Sequence, residues 1–371
     1  MFNIKKKNFK NFDYLLLIVV IALCSFGIFV LRSAQLNLEG NYTRNQIIAS
    51  ALGFIVIIIL LFLDIDFLKK LQWPFYFISI ALLLVTRLIG TGDDVGARAW
   101  INIGGFGFQP SEFVKIIMTM SVASFIDKRK EKINNPLTLL QILIYGGIPI
   151  ILVLKQPDFG TAMVMAFMFV IMLFASGLHI GYFIGALVAV VASLPFFFSR
   201  LDKYQRDRIF NFLNPDNLDA SNDQIRHGRI AIGSGGLKGR GYMKGPLSQN
   251  GFIPEIQTDY IFSILVEELG FVAGAFLIIL YGILLWRMIR IASNAKDTFS
   301  SAMIYGYAAM IFIHIFENIG MTIGLMPVTG IPLPLMSYGG TFQLVVLIAI
   351  GLSLSVKIQR KPLDFSYKIN D

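Results

Sequence analysis

The stretch Pro254–Trp286, PEIQTDYIFSILVEELGFVAGAFLIILYGILLW, starts polar and turns into a long apolar run. Three carboxylates, Asp259, Glu267 and Glu268, stand at or inside that run. About 20 mostly apolar residues cross the hydrocarbon core of a bilayer as one helix. An ionisable group inside such a segment is expensive unless it is partnered, so it marks a structural partner or a site. The remainder of the chain follows the same pattern. Of 371 residues, 56% are hydrophobic, 33 are Phe and only 15% are charged, whereas a soluble domain carries about 25% charged residues. The apolar residues come in blocks of roughly 16–25, the length of a membrane span.

The chain therefore reads as an all-α polytopic membrane protein, a single integral membrane domain over 1–371. Ten spans are expected at 13–32, 45–63, 74–89, 112–127, 137–154, 160–177, 180–199, 260–286, 302–325 and 340–357, with one large loop, 200–258, between the seventh and eighth. Pro74, Gly146, Gly147 and Pro149 interrupt spans three to five, which is tolerated where neighbouring helices satisfy the backbone. The basic N-terminus followed by about 18 apolar residues is too long for a typical signal-peptide core and reads as an uncleaved first span. The lone Cys24 is apolar filler, since one thiol makes no intrachain disulfide.

Lys and Arg gather in cytoplasmic loops. With the N-terminus inside, the inner segments hold 17 of them, the short outer loops five, and 200–258 nine. Ten spans place both termini in the cytoplasm. The +9 net charge is spread between spans, so it reports topology and not a nucleic-acid partner. Every unusual polar element then falls on the outer face: GTGDDVGARAWINIGGFGFQPSE, KQPDFGT, the loop 200–258 and GLMPVTGIPLPLMSYGG.

Four places carry candidate chemistry. In FQPSEFVKI, Ser111 is expected to cap the fourth span, and Glu112 and Lys115, three apart, share a helix face. In KQPDFGT, Lys155, Asp158 and Thr161 crowd a turn, where Asp158 either starts the sixth helix or faces a site. In the long loop, YQRDRIFNFLNPD suits an amphipathic surface piece. RHGRIAIGSGGLKGRGYMKG, with Arg240 among its cations, is either a phosphate-binding backbone or a flexible loop drawn to anionic lipid. In the opening stretch, Thr258 is expected to cap the eighth span. Glu267 and Glu268 need partners, with Lys115 and Asn318 as candidates. Asp259, at the membrane boundary, suits a general base acting on a lipid-linked substrate. Pro327, Pro332 and Pro334 forbid a continuous helix between spans nine and ten, so that segment is expected to line a cavity.

RAWINIGGFGFQPSEFVKI, KQPDFGTAMV, IAIGSGGLKGRGY, PEIQTDYIFSILVEELG and NIGMTIGLMPVTGIPLPLMSYGG, in this order over about 95–354, resemble the SEDS family, which comprises RodA, FtsW and SpoVE. The Lys before QPDFGT and the Met of LMSYGG lean towards RodA. The resemblance implies a peptidoglycan glycosyltransferase that polymerises lipid II into β-1,4 glycan outside the cytoplasm, releases undecaprenyl pyrophosphate and serves cell-wall elongation and shape. It implies a class B penicillin-binding protein and elongation-complex membrane proteins as partners. It places the functional carboxylate on Asp259 and further polar positions on Glu112, Lys115 and Asp158. Ser337 of the MSYGG segment joins the candidate substrate contacts. Lys115, Lys155, Arg206 or Arg240, or a divalent cation such as Mg2+ or Mn2+, are the candidates for holding the pyrophosphate. The chain departs from many relatives at Gln257, where they carry His, at His227-Gly228, and at Thr341-Phe342. A lipid-linked precursor transporter and an FtsW-like polymerase are the competing readings; a transporter needs polar sites near the midplane.

Overall fold

A computed structural model describes residues 9–90, 99–103, 106–200, 206, 210 and 220–359. Most of YQRDRIFNFLNPD, read as an amphipathic surface piece, lies outside the described residues.

Ten helices of 17–33 residues occupy the ten expected stretches. They are α1 (Tyr14–Ala34), α2 (Tyr42–Phe62), α4 (Gln72–Ile89), α5 (Pro110–Asp127), α6 (Pro136–Leu154), α7 (Phe159–Ala175), α8 (Ile180–Arg200), α11 (Ile261–Ser293), α12 (Thr298–Thr322) and α13 (Gly340–Ile358). Between them lie the shorter α3 (Ile65–Lys70), α9 (Ala220–Gly235) and α10 (Pro246–Gln249). Seven of the ten are long and apolar enough to cross a membrane by length and composition alone. The starts follow local chemistry. Asp13, Asn135, Asp158 and Asp297 each accept a backbone N–H of the first turn, and Pro110 and Pro136 take the first helical position, where a missing N–H costs nothing.

Small residues let the spans approach. A Cβ on Gly53 of α2 would overlap Leu347 of α13, and one on Gly27 of α1 would meet the backbone at Leu335 and Met336. Glycine at such crossings permits close backbone packing inside lipid. One end of the bundle is closed by ion pairs: Lys69 with Asp127 (2.6 Å), Lys296 with Asp66 (2.5 Å) and Arg287 with Asp13 (2.5 Å). The opposite end carries the broken backbone.

One element departs from the all-α expectation. Trp100 to Phe108 holds a two-stranded antiparallel hairpin, β1 (Ile101–Ile103) and β2 (Phe106–Phe108), with Ile101 opposite Phe108 and Ile103 opposite Phe106. Alternating Ile, Ile, Phe and Phe around Gly104-Gly105 is a hairpin pattern. Thr341, at the start of α13, donates to Gly107 O (3.4 Å) and ties the hairpin to the bundle.

The acids of the opening stretch find their partners in the long loop and in α1, and not in Lys115 or Asn318. Glu267 accepts from Leu247 N (2.8 Å) and Ser248 N (2.9 Å). Glu268 accepts from Ser33 Oγ (2.6 Å), Gln249 Nε2 (3.0 Å) and Met243 N (3.0 Å). Both residues are buried, and hydrogen bonds to the charged form are what make such burial tolerable. Here α11 breaks at Gly270 (φ 80, ψ 179), and the loop backbone fills the gap. Arg240 N donates to Glu267 O (2.9 Å), Gly241 N to Glu268 O (2.9 Å), and Phe271 N to Gly236 O (2.8 Å).

The Gly-rich run is therefore docked and not a flexible loop, and three of its amides are not open to a phosphate. Its first part is helix α9, packed on α11, and its amides at 240, 241 and 243 are consumed by α11. The glycines are needed for the approach: a Cβ on Gly239 (φ +82) would lie 2.1 Å from Glu268 O. Gly239→Ala is expected to destabilise this docking by roughly 1–3 kcal/mol from the left-handed φ alone, with the overlap adding to it. Gly233→Ala, in helix α9 with nothing within 4 Å, should instead stabilise by up to about 1 kcal/mol. Amide hydrogen exchange over 236–250 separates the two variants. Faster exchange in both, or in neither, contradicts the packing.

Candidate active site

Asp259 lies in a turn just before α11. Glu255 has a left-handed φ of 50°, and this folds the chain so that Thr258 N (3.2 Å), Asp259 N (3.0 Å) and Tyr260 N (3.4 Å) all donate to Glu255 O. Thr258 consequently does not cap the helix; its hydroxyl also donates to Glu255 O, and the cap position belongs to Tyr260 without a side-chain bond. Asp259 itself is half-buried. Ser111 does not cap α5 either. Gln109 holds that position, and Ser111 Oγ is buried without a hydrogen-bond partner.

The proline-broken segment 323–339 is irregular, as its prolines require, and it is stapled to the Asp259 turn. Asn318 Nδ2, from α12, donates to both Asp259 O (3.0 Å) and Ile331 O (2.8 Å). Tyr338 N donates to Gln257 O (2.9 Å). Ser337, expected at the substrate, is 1% exposed. Its hydroxyl donates to Thr258 O and accepts from Leu333 N (2.9 Å), so it holds backbone together and is not presented to a ligand. Gln46 of α2 completes the staple: its Nε2 donates to Ser337 O (3.1 Å) and its Oε1 accepts from Gly339 N (3.2 Å).

From Asp259 an arc of polar groups runs to Lys115. A Cβ on Gly330 would sit 3.6 Å from Asp259 Oδ2, and one on Gly160 of α7 would sit 3.4 Å from Thr329 O. Two residues before Gly160, Asp158 caps α7 by accepting from Thr161 N (3.0 Å), and its other oxygen accepts from Gln109 Nε2 (3.4 Å). One helical turn on, Glu112 Oε1 pairs with Lys115 Nζ at 2.8 Å. Both Asp158 and Lys115 act electrostatically on Glu112. The pair is buried, with side chains 6% and 1% exposed, unlike the solvated surface pair that the helix spacing alone would imply. Glu112 Oε2 has no hydrogen-bond partner.

Lys155 is exposed at the end of α6, the side chain of Arg240 is exposed, and Arg206 is half-buried. Sequence reasoning missed His314 and Gln46. The signal for the first was legible: His314, Glu317 and Asn318 fall at i, i+3 and i+4 on an otherwise apolar helix and so share one face. Among the described residues, no group of three or more His, Cys, Asp and Glu side chains is gathered to hold a metal ion.

Comparison with known proteins matches this architecture. A family model for FtsW, RodA and SpoVE, described as "Cell cycle protein", covers residues 13–362. Peptidoglycan glycosyltransferase MrdB of Escherichia coli is 36% identical over 373 residues, 98% of this chain and 99% of that protein. Stage V sporulation protein E of Bacillus subtilis is 33% identical over 371 residues, 93% of this chain and 96% of that protein. Among solved structures, a chain from a peptidoglycan synthase complex that coordinates polymerization and crosslinking superposes with TM-score 0.82 at 30% identity, covering 93% of this chain and 97% of that one. The rod shape determining protein RodA of Thermus thermophilus gives TM-score 0.68 at 29% identity, covering 93% and 96%.

Proposed function

The chain belongs to the FtsW/RodA/SpoVE family of multi-pass membrane proteins, and from that premise we propose that it is a peptidoglycan glycosyltransferase. It polymerises lipid II into β-1,4 glycan strands and releases undecaprenyl pyrophosphate, in cell-wall elongation. The observation that carries the reading is the arc from Asp259 through Asp158 and Glu112 to Lys115, assembled at the bundle end opposite the ion-paired one. The excess of Lys and Arg in the inner segments supports an extracytoplasmic site with both termini cytoplasmic. Lys155, Met336 and the RodA relatives support the elongation role. The likeness to a chain of a synthase complex supports a class B penicillin-binding protein as partner.

The reaction joins a sugar hydroxyl to an anomeric carbon while pyrophosphate departs. Asp259 takes the proton from the acceptor's 4-hydroxyl as general base. An α-linked pyrophosphate becomes a β-linked sugar, so configuration inverts and one displacement suffices, without a covalent sugar–enzyme intermediate. Negative charge grows on the leaving oxygen, where a fixed cation in a water-poor site is most effective. Lys115 is the cation that the arc connects to Asp259; Lys155, Arg206 and Arg240 supply further positive charge from the rim. A divalent cation, if one takes part, would draw most of its ligands from phosphate and water oxygens.

Purified protein with its penicillin-binding partner, given labelled lipid II in detergent, is expected to build long glycan without any vesicle. A transporter needs two compartments and would leave lipid II unchanged in this assay. A scaffold would do the same.

A further inference from the structure

Helix α12 carries a buried group that the chemistry above leaves unused. His314 is 2% exposed, and its ring stacks on Phe342 of α13 at 4.7 Å between centroids. Its Nδ1 lies 2.7 Å from Met310 O, and its Nε2 lies 3.2 Å from Lys115 Nζ. A carbonyl oxygen only accepts, so Nδ1 carries the proton. An ammonium only donates, so Nε2 offers its lone pair. The opposite tautomer would set donor against donor at Lys115 and lone pair against lone pair at Met310. A doubly protonated ring would set two cations 3.2 Å apart. The ring is therefore the neutral Nδ1–H form and an acceptor for Lys115.

Lys115 has three N–H groups. Glu112 Oε1 takes one at 2.8 Å and His314 Nε2 another at 3.2 Å; among the described residues the third has no hydrogen-bond acceptor. The ring of Phe342 lies 5.5 Å from the ammonium and closes one side. The charged groups facing this spot are Glu112 from α5, with Asp158 acting on it from the start of α7, and Glu317, one turn from His314 on α12. A further carboxylate in place of His314 would compensate the ammonium more. A neutral imidazole fixes its direction without subtracting from its charge.

We propose that His314 is a positioning residue: with Glu112 it holds the buried Lys115 ammonium from two sides and fixes where its positive charge stands relative to the departing pyrophosphate. This rests on the reading above that the Lys115 charge stabilises that leaving group. The test is steady-state polymerisation of lipid II by the full-length protein with its penicillin-binding partner. His314→Leu keeps an apolar body without an acceptor. It is expected to lower kcat about 10–100-fold, the cost of a misaimed group. KM is expected to stay within about 3-fold, because the charge on the leaving oxygen grows only in the transition state. His314→Gln, which restores an acceptor of similar reach, should recover most of the loss. Should the Leu variant fail to accumulate, His314→Asn, whose acceptor is too short for Lys115, takes its place. Equal loss in the Gln and Leu variants overturns the proposal. So does a wild-type rate for His314→Leu alongside an inactive Lys115→Met. A wild-type rate for Lys115→Met overturns the reading of Lys115 as well.

Discussion

Asp259→Asn protein is expected to fold and insert normally yet to polymerise lipid II at least about 100-fold more slowly than wild type, the usual contribution of a positioned base. The reasons are geometric. What holds the Asp259 turn is backbone: its N–H donates to Glu255 O at 3.0 Å, and its carbonyl accepts from Asn318 Nδ2 at 3.0 Å. Neither bond involves the carboxylate. The amide keeps the size and an acceptor oxygen, and it loses the charge and the ability to take a proton. Labelled lipid II elongation, read on a gel beside a melting curve in detergent, measures both halves. An Asn variant that elongates glycan at the wild-type rate leaves Asp259 without its assigned task.

The second large effect concerns the buried pair. Lys115→Met removes the cation and strands the Glu112 carboxylate, which is 4% exposed. Breaking one side of a buried pair costs about 3–5 kcal/mol, whereas replacing both sides with uncharged groups is often close to neutral. Lys115→Met is therefore expected to lower the denaturation midpoint sharply, and Lys115→Met with Glu112→Gln to regain most of it. Polymerisation should stay lost in both, because restored packing does not restore a cation to the leaving group. If the double variant is as unstable as the single one, the pair is not what holds α5 at this place. If the double variant regains activity with its stability, Lys115 is structural only.

Much of the architecture was legible along the chain. Each span is announced by its own apolar residues, and the starts of α1, α5, α6, α7 and α12 by an adjacent Asp, Asn or Pro, because hydropathy, capping and proline sterics are local properties. The irregularity of 323–339 follows from Pro327, Pro332 and Pro334 in the same way. Asp259 drew notice as a carboxylate at a membrane boundary. Asp158 does cap α7, one of its two possible readings. Local rules misplaced the caps at Thr258 and Ser111, since the left-handed backbone at Glu255 and the preceding Gln109 decide where those helices begin. The hairpin at 101–108 is not announced by an apolar block, because its two three-residue strands are held by pairing with each other.

Composition and order alone thus determined a ten-helix membrane bundle, its polar end and the acid nearest the boundary, because removing apolar surface from water and satisfying helix ends depend on near neighbours. Only the tertiary structure decided what the buried charges touch. Ser33 and Glu268 are 235 positions apart and Lys115 and His314 are 199 apart, and no periodicity links such residues. Their pairing is set by how the spans and the docked loop 236–250 pack. In a medium without water, each buried carboxylate or ammonium must find its partner across that packing.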